Sequence, residues 1–222
     1  MEELFFELIQ VSIGRLDCVS RGPEPEEWTA LYELSKRQQV EGICYHGVER
    51  LFDFGLRAPQ DVSIDWMATA EEIRERNEQA AGQSVVARYY DEELRHLRSA
   101  QDDAFQSVPK PTIQHVYRLF LQHRLNMRVL MDYGFVLRQT AGKNETLRGG
   151  GLLCAIGLRR FAQGIMWVLQ TTLALERQYM PYEPLETEGR FLLSDVLQKA
   201  SCWDRVGHVL LNYPLGIAGL RA

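Results

Sequence analysis

The chain has 222 residues, 45% of them hydrophobic and 25% charged, with a formal net charge of −5. This composition excludes a disordered chain, and the acidic balance argues against a dedicated nucleic-acid binder, which needs a basic surface to displace the counterions around phosphates. The segment Met1 to Glu7 is acidic where a secretory signal is basic, and no apolar run reaches the ~20 residues that span a bilayer, so no membrane contact is expected.

Taken in chain order, Leu4, Phe5, Leu8, Ile9 and Val11 recur at helical spacing and predict a first helix over 4–14, which Arg21-Gly22-Pro23 closes off. Pro25 suits the first turn of a second helix. There Glu26 and Glu27 face its positive end, and Trp28, Leu31 and Leu34 point inward as far as about Gln39. A short helix from about Ile43 to Phe52 follows. Gly55 and Pro59 then turn the chain to Asp61, the predicted N-cap of a helix carrying Ile64, Met67 and Ile73 toward Ala81. Residues 85–97 read as another, charge-rich helix. Two prolines in Val108-Pro109-Lys110-Pro111 cannot sit inside a helix and mark the clearest internal boundary. The predicted organisation is an N-terminal helical region over 1–81, a charged connection over 82–107 and a C-terminal helical region over 108–222.

A central helix is predicted over 112–140. Val116, Phe120, His123, Met127, Met131 and Gly134 fall on one stripe of it, and Leu121, Leu125, Val129 and Val136 on the other side. A helix apolar on both faces is enclosed by other helices. After a glycine-rich loop over 141–151, Phe161, Ile165, Val168, Leu169 and Leu173 predict a helix over 160–180, ended by Pro181 and Pro184. Gly189-Arg190-Phe191 opens a last short helix, and Pro214 ends regular structure. No stretch alternates with period two, so the expected fold class is mainly α, bundle-like, with little or no sheet.

Four scattered cysteines, Cys18, Cys44, Cys154 and Cys202, form no CxxC pair and no disulfide framework, so reduced thiols and a cytoplasmic compartment are expected. Gly142-Lys143 and Gly149-Gly150-Gly151 suggest a phosphate loop, yet the motif's first glycine is absent and Asn144 stands where Ser or Thr would hold magnesium. A flexible connection accounts for them better. His123, alone on the apolar stripe, reads as a hydrogen-bonded core histidine. Asp91 and Glu93 point apart on a helix and cannot share an ion. With no HExxH, no paired Cys/His spacing and no EF-hand loop, no metal site is expected. Arg128 and Asp132 stand four apart on the central helix, a charge pair expected to be partly buried. They are candidate ligand-contacting residues beside the plainer reading of a bridge between helices.

Several ordered stretches resemble one family. Phe6-Glu7-Leu8-Ile9-Gln10, Trp28 to Gln39, Val40-Glu41-Gly42-Ile43 and Arg74-Glu75-Arg76-Asn77 are similar to the N-terminal helical region of the uncharacterised bacterial nucleotidyltransferase family associated with surface-polysaccharide gene clusters. Met127-Arg128-Val129-Leu130-Met131-Asp132-Tyr133 resembles its Leu-Arg-x-Leu-x-Asp-Tyr motif. Phe161-Ala162-Gln163-Gly164-Ile165-Met166 and Gly189 to Leu193 resemble later helices. The resemblance implies a palm sheet in which a Gly-Ser turn and an Asp-x-Asp pair hold magnesium against a nucleoside triphosphate. Neither motif occurs in this chain, and fewer than thirty residues separate Ala81 from Pro109, too few for that sheet. Magnesium would be expected only with the palm present, so no cofactor and no catalytic residue carries over. Two functions remain. One is a shortened relative, not catalytically self-sufficient, that binds a nucleoside triphosphate or a partner through Arg128 and Asp132. The other is a non-enzymatic helical protein-interaction module.

Overall fold

The computed structural model describes residues 1–79, 112–140 and 158–213. Among the described residues the chain is mainly α, with one 3-10 turn and no strand. The charge-rich helix expected over 85–97 and the glycine loop over 141–151 lie outside the described residues. The chain divides into two compact units, Met1–Lys110 and Pro111–Ala222.

The first unit contains α1 (Glu2–Ser12), α2 (Pro25–Arg37), α3 (Glu41–Phe52) and α4 (Gln60–Gln79). Leu4, Phe5, Leu8, Ile9 and Val11 are all buried, so α1 is enclosed as its pattern requires. It packs chiefly on α3, which packs in turn on α4. Gly47 makes the first of these contacts close: a Cβ there would stand 2.7 Å from the Leu8 carbonyl oxygen. At the start of α2 the Glu24 N–H donates to Glu27 at 2.9 Å, and Arg21 clamps the same carboxylate at 2.5 and 2.7 Å. Trp28, Leu31 and Leu34 are buried as predicted. The face of α4 differs from expectation. Ile64 and Met67 are exposed, and Val62, Trp66 and Ala70 are buried instead. Trp66 is the largest apolar side chain of the helix, and its Nε1–H donates to the Glu41 carbonyl at 2.9 Å, which fixes the rotation of α4. Asp61 lies inside the first turn rather than at the cap.

The second unit contains α5 (Ile113–Leu121), α6 (Met127–Thr140), α7 (Arg159–Leu173), a 3-10 turn (Arg177–Tyr179), α8 (Glu186–Val196) and α9 (Cys202–Asn212). The continuous central helix over 112–140 is not what forms; it is two helices. His123 takes the left-handed conformation at φ 56°, its N–H donates to the Phe120 carbonyl at 3.1 Å, and the Arg124 N–H reaches back to Leu119 at 2.9 Å. That pair of bonds is a Schellman ending with histidine in the position glycine favours. Asn126 then caps α6, accepting from the Val129 N–H at 3.1 Å. The helix expected over 160–180 ends earlier too, at Leu173, where Ala174 turns left-handed at φ 48°. Its packing against α6 is as predicted: Gly134 faces Leu169 and Leu173. The tightest contact of the unit joins α7 to α8, with Gly164 against Glu188 and Gly189 against the Trp167 ring.

Candidate functional site

The chemistry of the second unit gathers where α8 and α9 meet α5 and α7. Four rings, Tyr117, Phe120, Phe161 and Tyr213, form the apolar floor, with centroids 4.9 to 6.2 Å apart and mostly edge-to-face. The Tyr117 hydroxyl is buried with no hydrogen-bond partner among the described residues, and burial pushes that phenol up to about 12.

Two charge clusters sit around this floor. Glu188, at 0% exposure, accepts from Arg160 at 2.7 Å and from His208 Nε2 at 2.6 Å. His208 stacks on Phe191 with centroids 3.7 Å apart. Two turns further along α8, Asp195 accepts from Arg205 at 3.0 and 3.1 Å. The Arg205 guanidinium lies 4.5 Å over the Phe120 ring and also bonds His123 Nδ1. Arginine carries only donors, so His123 Nδ1 is the acceptor and the ring proton resides on Nε2. Burial pushes the Asp195 carboxyl up, and the Arg205 guanidinium beside it only partly offsets this.

Both clusters tie α9 down. Arg205, His208 and Val209 point into the unit, and Tyr213 follows them. The carboxylates are engaged by cations, and no group of three potential metal ligands occurs among the described residues. The opposite face of α9 is apolar and open: Trp203 is 85% exposed, Val206 45%, Leu210 60% and Leu211 83%.

Comparison of the chain with protein-family models, with curated proteins and with solved structures finds no match. The chemistry of the site is therefore read from its own residues. Arg128 and Asp132 share one face of α6 as their spacing requires, and both are half-buried; Asp132 is engaged in an interaction of its own. The most deeply buried ion pairs recorded among the described residues of this unit are Glu188 with Arg160 and His208, and Asp195 with Arg205. His123 is hydrogen-bonded, as predicted, but it is exposed at a helix end rather than held in the core on a helix stripe.

Glu188, Asp195, Arg205 and His208 escaped the sequence reading because their convergence depends on how three helices cross. One signal was available. Ser201-x-x-Asp204 is a capping signature, and the Asp204 N–H does donate to Ser201 Oγ at 3.1 Å, which announces α9. No described helix is long and apolar enough to cross a membrane.

Proposed function

We propose that this chain is a non-enzymatic, cytoplasmic helical interaction module whose docking element is the outer face of α9. The supporting observation is the contrast within that helix. Its inner face is fastened by buried ionic contacts, while its outer face exposes Trp203, Val206, Leu210 and Leu211 together. An apolar patch on a rigid element favours partner binding, since covering it releases ordered water at no cost in ordering the helix.

Trp28 and Trp66 are buried and Trp167 is half-buried, so the difference in acrylamide quenching of tryptophan fluorescence between the chain and Trp203→Phe tests this reading. A strongly quenched component at nanomolar concentration that is lost with Trp203→Phe supports it. A shielded Trp203 in the dilute chain contradicts it.

The nucleotidyltransferase relationship is the second reading, favoured by the half-buried Arg128 and Asp132 on one face of α6. Such a relative binds a nucleoside triphosphate and does not transfer it, since nucleotidyl transfer depends on metal-bridged phosphates and Glu188 and Asp195 are already committed to cations. Incubation with labelled nucleoside triphosphates and magnesium separates the two. Binding lost in Arg128→Ala favours the shortened relative, absence of binding favours the module, and chelator-sensitive pyrophosphate release overturns both.

A further inference from the structure

We infer that the partner of α9 is a second copy of the same chain, packed antiparallel along the stripe Trp203, Val206, Gly207 and Leu210; this rests on the docking reading above. At 100° per residue the outer face contains, side by side, Val206, Leu210, Trp203, Gly207 and Leu211, with Asp204 at its edge. The inner face contains Arg205, His208 and Val209, which the unit itself buries or half-buries.

The spacing i, i+3, i+4, i+7 is unchanged when a helix is reversed. A two-fold axis at the middle of α9 therefore sets Trp203 of one copy against Leu210 of the other, and Val206 against Gly207. A two-fold interface must be self-complementary in this way, and here Val206 meets the small Gly207. Gly207 supplies the small side: a Cβ there would meet nothing within 4 Å, so its outer surface is open to a close neighbour. The stripe itself bears no charge. Asp204 stays at the rim, accepting from the Ser201 hydroxyl at 2.7 Å, so pairing strands no carboxylate in an apolar contact. Antiparallel packing also sets each helix start beside the partner's helix end, where the dipoles attract.

The area fits a reversible dimer. A large aromatic contributes roughly 150–250 Å². With Val206, Leu210 and the flanking Leu211, each copy offers at most on the order of 500 Å², and two copies on the order of 1,000 Å², the size of a weak interface and below that of an obligate dimer. A lipid surface fits less well, because on α9 itself, over Trp203–Leu211, the outer side bears no basic residue and its one charge is Asp204.

Sedimentation velocity on the full chain from nanomolar to about 100 µM, read together with acrylamide quenching of Trp203, tests the inference. The expected result is a reversible dimer in which Trp203 becomes shielded as the dimer fills. Leu210→Glu should raise the dissociation constant about 100-fold or more, since a charge in the middle of an apolar contact strikes both copies. Trp203→Lys, at the most exposed of these positions, should do the same, and both variants should keep the parent's circular dichroism and melting temperature. A monomer with open Trp203 throughout overturns the second-copy assignment and leaves the docking reading intact. A shielded Trp203 in the nanomolar monomer overturns both. A dimer indifferent to both substitutions places the interface elsewhere and overturns the assignment, as does a monomer whose Trp203 inserts into neutral phosphatidylcholine vesicles.

Discussion

The two units use opposite means to hold helices together. In the first, buried polar groups bond to backbone: Ser12 Oγ donates to the Ile43 carbonyl at 2.5 Å, Trp66 to Glu41, and Arg50 to the Val11 carbonyl at 2.7 Å. Its tight ion pair, Arg21 with Glu27, stays at the surface. In the second unit, the carboxylates of Glu188 and Asp195 on α8 and the Arg205 guanidinium on α9 are buried, and side chains engage both carboxylates. Backbone-directed bonds between apolar helices build a scaffold at low electrostatic risk. Buried ion pairs contribute little net stability, because desolvation offsets attraction, but they are intolerant of losing a partner. The second arrangement suits a helix that must be fixed on one side while its other side stays open.

This contrast breaks most sharply at Asp195. Asp195→Ala should destabilise the chain by about 3–5 kcal/mol in urea denaturation, because the buried Arg205 charge is left uncompensated. A cost below about 0.5 kcal/mol, the size of an ordinary surface substitution, would mean the pair is not a fastening. The counterpart in the first unit is steric. Gly47→Ala forces a Cβ to within 2.7 Å of the Leu8 carbonyl oxygen, and should cost about 1–3 kcal/mol with no dependence on salt.

The pH dependence of the two units should differ in sign. Glu27 is held at about 2, chiefly by its hydrogen bond to Arg21, so its contribution is present above the ordinary carboxylate range and is lost as pH falls through about 2. Asp195 is shifted upward by burial, so its contribution is greatest below the ordinary aspartate value and fades as pH rises through its folded value. Urea midpoints of the chain and Asp195→Asn should therefore diverge in the chain's favour on acidification from about pH 7 into the carboxylate range. Divergence in the opposite direction would mean that Arg205 dominates burial. The smallest effect belongs to Tyr117. Its buried hydroxyl has no hydrogen-bond partner among the described residues, so Tyr117→Phe should be neutral or stabilising by up to about 1 kcal/mol. The same substitution should remove a phenol that ionises only near 12 in an absorbance titration.

Period-3.6 patterning was enough to read a mainly helical chain, and the core positions Trp28, Leu31 and Leu34 with it. Helix ends were less legible in the second unit, because those at His123, Ala174 and Gln198 are left-handed turns without glycine. Nothing local distinguishes such a histidine or glutamine from one inside a helix, so α5 and α6 look continuous in sequence. The rotation of α4 was misread because Ile64 and Met67 outnumber Trp66, although Trp66 alone brings both area and a backbone bond. Arg128 and Asp132 stood out because local spacing brings them together. Asp195, Arg205 and His123 are brought together only by tertiary contact between segments as much as 82 residues apart.

Hydrogen exchange across α9 tests most directly whether the buried charges hold that helix in place. In Asp195→Ala, amides over Arg205–Leu210 should lose protection far more than those of α1 and α3, whose contacts involve none of these charges. Equal loss in both units, or undiminished protection over α9, would contradict the account.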